Sequence, residues 1–213
     1  MVRTLKDPAQ RASKAWLEGT ARLVGDRKHS EFSTHERQRA LDPQYVSILS
    51  IVKYPDPRLR QVCAPVEAFG DDLRRLAEQM LQLMNDRNGV GLAGPQVGVR
   101  QRLFVCNHTG EPGDNQILIN PQLSNLEGSA EGEEGCLSIP DVLVPIRRAQ
   151  SCTIEAQDVE GNRFELAGQD LRARVWQHEY DHLQGKLILD YMDEASRISN
   201  RRIIKQLEAS FNA

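Results

Sequence analysis

The stretch Gln177-His178-Glu179-Tyr180-Asp181-His182 is the most informative in the chain. It falls inside a helical segment predicted from about Gln169 to Gln184, with Gly185 as its stop. On a helix, His178 and His182 stand four apart, so both imidazoles lie on one face, one turn apart, where they can share a metal ion. Glu179 points about 100° away round the helix, beside such an ion and not among its ligands. A carboxylate there can take a proton from an attacking water and later return it. The ordinary alternative is a helix with two solvent or core histidines, and the rest of the chain decides between the two.

Two imidazoles do not complete a catalytic metal site, which usually has three protein ligands and an open position. A third histidine six residues after His182, as in metzincins, is absent because that position is Ile188. Cys136, in Glu134-Gly135-Cys136-Leu137-Ser138, is the candidate; its plainer reading is a small buried hydrophobe. Residues 89–98, Gly89-Val90-Gly91-Leu92-Ala93-Gly94-Pro95-Gln96-Val97-Gly98, superficially resemble a nucleotide fingerprint. That motif needs a strand before it and a helix after it, whereas here a helix precedes and Pro95 discourages one following. Such a loop instead lets backbone come close to a small substrate. The amide of Gln96 can donate to a developing oxyanion, or be an ordinary turn side chain.

Around these stretches the pattern is that of one compact domain. A helix is predicted over 71–88, opened by Asp71 or Asp72, with Leu73, Leu76, Ala77, Met80, Leu83 and Met84 at helical spacing and Gly89 as its end. Strands are predicted at 46–52, 103–106, 117–120, 142–146, 151–158 and 163–167, with a loop over 121–135 and a turn at Val159-Glu160-Gly161-Asn162. A last helix spans about Asp193 to Phe211, with Ile198, Ile203, Ile204 and Leu207 apolar. Strands broken by a few helices, without regular βαβ alternation, indicate an α+β domain.

Residues 1–44 differ from the remainder. They hold nine Lys/Arg and six Asp/Glu, a balance of +3, against −3 for all 213 residues. Asp7-Pro8 reads as the start of a short helix, followed after Gly25 by a polar linker. The chain therefore divides into an extension, 1–44, and a domain, 45–213. The near-neutral total argues against a phosphate-driven nucleic-acid binder. No run of about 18 apolar residues offers a membrane span, and the N-terminus lacks the apolar core of a secretory signal. Cys63, Cys106, Cys136 and Cys152 are too few for a disulfide scaffold.

Taken together, GVGLAGPQ (89–96), EGCLS (134–138) and QHEYDHLQG (177–185), in this order and separation, resemble the peptide deformylases, over roughly residues 45–190. These metallohydrolases remove the N-formyl group from the starting methionine of new proteins. The resemblance implies mixed or antiparallel sheets packed around a central metal-binding helix, with a C-terminal helix. It also implies Cys136, His178 and His182 as metal ligands and Glu179 as general acid/base. The Leu137 N–H and the Gln96 amide would bind the formyl oxygen. Val90, Gly91 and Gly135 would border the peptide, and Leu171, Val175 and His178 would line the methionine pocket. The implied cofactor is one divalent ion, Fe2+ in the cell, replaceable by Zn2+, Ni2+ or Co2+ in the purified protein. The implied partners are formyl-Met nascent polypeptides. A ribosome contact through Arg201, Arg202 and Lys205 is weighed against a solvated helix face, which is preferred. A bacterial-type cytoplasmic setting is favoured over an organelle.

Some positions depart from the family pattern. Gly94 stands where Ala is common, and residues 139–143, IPDVL, lack an arginine that many members carry there. Arg148 matches a family arginine of structural character. Arg174 takes a position often apolar in bacterial members, where it would shape the pocket mouth or pair with an acid.

Overall fold

The computed structural model describes residues 49–211. The extension 1–44, with its helix at Asp7-Pro8, and the start of the domain lie outside the described residues.

Helix α1 spans Asp71–Asp86, with Leu73, Ala77, Met80 and Met84 buried along one stripe. Its end differs slightly from expectation. Asn88, not Gly89, takes the left-handed conformation (φ 52°), and Gly89 N–H closes the turn on the Met84 carbonyl at 2.9 Å. Gly89 serves packing instead, since a Cβ there would lie 2.9 Å from Leu137 Cδ1. Strand β1 is Gly91–Ala93. One 3-10 turn, Gly94–Val97, follows and accepts Pro95 near its start, so a single helical turn does form after the glycine-rich loop.

Strands β2 (Leu103–Cys106), β3 (Gln116–Glu127), β6 (Ser151–Gln157) and β7 (Arg163–Gln169) join β1 in a five-stranded antiparallel sheet of order β1-β2-β3-β6-β7. Strands β4 (Ala130–Cys136) and β5 (Ile139–Arg148) form a separate antiparallel hairpin. Residues 121–135 are therefore mostly strand and not loop. Two features hide this in the sequence. Pro121 reads as a terminator but sits at a register shift between Ile119 and Gln122, where Asn120 takes φ 51° and the strand bends without ending. Beyond it the strand is largely solvent-facing, so no apolar alternation marks it.

The expected strand at 46–52 fails in its described part. Residues 49–53 join no ladder. They run alongside the domain and make single bonds instead: Val52 N–H to the Gln96 carbonyl (2.8 Å) and Tyr54 N–H to the Ser138 carbonyl (2.9 Å). Leu49 and Ile51 pack on one core and Val52 on another, which explains the strand-like apolar run.

Helix α2 spans Asp170–Leu183 and helix α3 spans Glu194–Phe211. The large sheet lies between α1 and α2. Alternate residues of β2 serve the two faces: Leu103 and Val105 meet the Met80 and Met84 side of α1, while Phe104 and Cys106 meet Ala173, Trp176 and Leu183 of α2. A third core joins Ile139, Val142, Val144 and Ile146 of β5 to Leu187, Ile188 and Met192, with Ile203, Ile204 and Leu207 of α3 against it. Ile198 departs from that stripe and is 69% exposed. The buried positions in the first half of α3 are Ser196 and Asn200, because Asn200 Nδ2 donates to the Leu143 carbonyl (3.1 Å).

Candidate metal centre and substrate cleft

Helix α2 and the β4–β5 hairpin bring the three candidate ligands together. The donor atoms of Cys136, His178 and His182 all lie within 4.8 Å of one another. Cys136 Sγ is 3.4 Å from His182 Nε2, and the two rings stand edge to face with centroids 5.1 Å apart. Cys136 enters from the end of β4, far away in sequence, and the four-residue spacing on α2 aligns the rings as the sequence implied.

The surroundings select the donor atoms. Glu134 lies two residues before Cys136 and is 1% exposed. His178 Nδ1 is 2.9 Å from Glu134 Oε2. An ionised carboxylate only accepts, so Nδ1 carries a proton there, which leaves Nε2 as the nitrogen that would serve an ion once its own proton is displaced. Arg148 holds Glu134 by two bonds, Nε to Oε1 (3.0 Å) and Nη2 to Oε2 (2.9 Å), and reaches Asp181 Oδ2 with Nη1 (2.5 Å). Burial pushes the Glu134 carboxyl up, but His178 and Arg148 outweigh it and hold it well below the usual range. Burial likewise raises the Cys136 thiol, yet the two imidazoles draw it well below its ordinary value, towards the thiolate that a metal needs. Burial lowers His178, and the sulfur and two carboxylates lift it to about 10. The cluster thus draws positive charge to this point. A thiolate and two imidazoles suit zinc, iron, cobalt or nickel, so the residues present fit a divalent ion.

Glu179 is buried, and its Oε2 has no hydrogen-bond partner among the described residues. Its pKa is raised, chiefly by burial. Gly91 leaves it room: a Cβ there would lie 2.2 Å from Glu179 Oε1. The Gln96 amide is oriented by its own backbone. Oε1 accepts from Ala93 N–H (2.7 Å), which turns Nε2 to donate to Cys136 Sγ (3.3 Å).

Gly89, Val90, Gly91, Gln96, Gly135, Cys136, Leu137, Val175, His178 and Glu179 line one cleft, together with Glu134 and Arg174. Leu171 is the exception among the expected substrate residues: it packs, partly buried, on the core between α2 and the sheet and does not line this cleft. Glu134 and Lys53 received no role from sequence. Glu134 was legible only by reading 130–136 as a strand. Lys53 carried no local signal; its Nζ donates to the Leu137 carbonyl (2.6 Å) from outside the hairpin. A cation thus reaches the Cys136–Ile139 turn although residues 139–143 contain no arginine. Asp181 is not a partner of either histidine; it accepts from Arg148 and from the Tyr191 hydroxyl (2.7 Å).

Residues 48–197 match the family model for polypeptide deformylase. The chain belongs to the peptide deformylase family. A peptide deformylase of Alkalilimnicola ehrlichii is 48% identical over 164 residues, covering 76% of this chain and 92% of the relative. Among solved structures, an Arabidopsis thaliana peptide deformylase crystallised with an inhibitor superposes with a TM-score of 0.73 at 38% identity, covering 76% of this chain and 92% of the other. A peptide deformylase from Legionella pneumophila gives 0.72 at 38% identity, over 78% and 98%. Membership makes the chain a metal-dependent hydrolase that removes N-formyl groups from the N-terminal methionine of newly made polypeptides, and its α+β fold with antiparallel sheets and a C-terminal helix is the peptide deformylase fold.

Proposed function

We propose that this cleft is where deformylation occurs and that Cys136, His178 and His182 hold one divalent ion there. The supporting observation is a thiolate and two imidazoles within 4.8 Å of one another, beside a buried carboxylate oxygen that has no partner. When bound, the ion supplies Lewis acidity and lowers the pKa of water towards about 7.

The chain's own groups do the rest. Glu179 accepts the proton of the attacking water and passes it to the amine nitrogen as the C–N bond breaks, so formate and a free N-terminal methionine leave. Gln96 Nε2 and the Leu137 N–H receive the oxyanion. Removal of one such donor typically lowers kcat about 10²–10³-fold, and Gln96→Ala is expected in that range. Val90, Gly91 and Gly135 border the peptide, which lies along the β1 edge as an added strand. Val175 and His178 wall the methionine side chain, with Leu171 behind them. A close wall at the formyl carbon excludes an acetyl methyl by contact.

Fe2+ is the ion expected in the cell, with Zn2+, Ni2+ or Co2+ exchanging on purification; a sulfur ligand makes the iron form sensitive to oxygen. Formyl-Met nascent chains are the substrate, encountered in a bacterial-type cytoplasm. The basic residues of α3 are read as a solvated face and not as a ribosome contact.

The deciding experiment measures metal content and turnover on one oxygen-protected sample, with formyl-Met and acetyl-Met peptides. One equivalent of metal, formyl turnover and at least a hundredfold preference over acetyl support the assignment. Glu179→Gln should keep the metal and lose about 10²–10⁴-fold in rate. Equal rates on the two peptides, or an active Glu179→Gln, would overturn it.

A further inference from the structure

Arg174, expected to shape the pocket mouth or pair with an acid, has no part in the chemistry above; it borders the cleft and pairs with Glu134. It stands on α2 one turn before His178, with its side chain 12% exposed. Among the described residues its guanidinium bonds only to the hairpin. Nη1 donates to Glu134 Oε1 (2.7 Å) and to the Ile146 carbonyl (3.0 Å), and Nη2 donates to the Ala130 carbonyl (2.7 Å). Ala130 and Glu134 belong to β4 and Ile146 to β5, so one helix side chain grips both strands. Gly132, opposite Ile146 in the ladder, makes the room. A Cβ at 132 would lie 3.2 Å from both Cζ and Nη2 of Arg174.

The hairpin is a sheet of its own, with no ladder to the five-stranded sheet. Cys136 ends β4, while both histidines are on α2. The distance from sulfur to imidazoles is therefore set by what ties hairpin to helix. Glu134–His178 and Arg148–Asp181 are two such links. Gln177 adds a third, accepting from Ala149 N–H and donating to its carbonyl, just past the end of β5. Among the described residues, only Arg174 spans both strands from the helix and reaches the far end of β4. A lysine would keep the charge, but a single nitrogen cannot meet three acceptors spread over two strands as a planar fork does.

We propose that Arg174 is a positioning residue. By gripping β4 and β5 over Gly132, it holds the hairpin on α2 and sets Cys136 at its place beside His178 and His182. The proposal rests on the metal reading above and adds to it a determinant peculiar to this arginine–glycine pair.

The test uses the full chain loaded with Co2+ under anoxic conditions. Its readouts are the visible cobalt spectrum and the rate of cobalt loss to a chelator. Arg174→Met should release the metal about 10–100-fold faster, the usual effect of removing a partner behind a ligand, and should shift the ligand-field bands. Arg174→Lys should recover part of this. Gly132→Ala, which crowds the guanidinium and leaves every charge in place, should act in the same direction by a smaller factor; it carries the test alone if Arg174→Met does not fold. Spectra and release rates within twofold of the parent in the folded variants, even with a lowered Tm, would overturn the proposal and leave the metal centre standing. A parent chain that takes up no cobalt would bring down the metal reading itself and the proposal with it.

Discussion

Helices α2 and α3 are both rich in charge, but α2 carries its charges into the protein and α3 carries them out. On α2 the side chains of Arg174, His178 and Asp181 are 12%, 11% and 15% exposed, and Glu179 is buried. Each of the first three is bonded to the hairpin. On α3, Arg201, Arg202 and Lys205 are exposed and form no ion pair with another described residue. The difference lies in what covers each helix. The sheet covers one side of α2 and the hairpin another, so a charge there must be paired or be costly. One side of α3 meets β5 and the residues that follow α2, and Arg201, Arg202 and Lys205 lie on its exposed remainder. Charge on a helix thus becomes part of a site only when a second element closes over it.

The sharpest way to break this contrast is Glu134→Ala. It takes the shared carboxylate from Arg148, which keeps Asp181, and from Arg174, which keeps only backbone carbonyls, and breaking a buried pair in this way costs about 3–5 kcal/mol. Urea unfolding should show that loss, and a change under 1 kcal/mol would mean the network carries little. The same carboxylate sets an acid limit. Its folded pKa lies below the ordinary 4.5, so its stabilisation is fully present above that pH and drains away as pH falls below it. Glu134→Gln should flatten the acid-side decline of stability; parallel declines in the two chains would refute the assignment.

A smaller effect is expected at Gln177, whose amide satisfies both the N–H and the carbonyl of Ala149. Gln177→Ala leaves those groups short of partners and should cost about 1–3 kcal/mol, read from the same unfolding curves. The least effect belongs to α3. Changing Arg201, Arg202 and Lys205 together to Gln should move stability by no more than about 0.5 kcal/mol and leave formyl-peptide turnover unchanged. If that variant also lost ribosome co-sedimentation shown by the parent, α3 would prove to be a docking face and not a merely solvated one.

Much of this was readable beforehand, and for identifiable reasons. The stripe of α1 and the histidine spacing on α2 are local periodicities and β2 is a short, wholly apolar run, so Leu73 to Met84, His178 with His182, and Leu103 to Cys106 declared themselves. Residues 121–135 did not, because a solvent-facing strand with a bend at Asn120-Pro121 shows no apolar alternation. Residues 49–53 misled in the other direction, since an apolar run bonded singly to Gln96 and Ser138 looks like a strand in a sheet.

The linear chain alone offered the groups that can do chemistry here: the paired imidazoles and the neighbouring carboxylate by their spacing on one helix, and the thiol of Cys136 and the amide of Gln96 as candidates that only the resemblance singled out. It also carried the family resemblance. Tertiary structure decided how those groups are held: Glu134 as the partner of His178, Arg174 bonded over Gly132, Lys53 on the Leu137 carbonyl, and Leu171 behind the cleft wall. The reason is physical. Periodicity is set by the local backbone, whereas hydrogen bonds between a helix and a distant hairpin depend on how separate elements pack, and sequence spacing does not encode that distance.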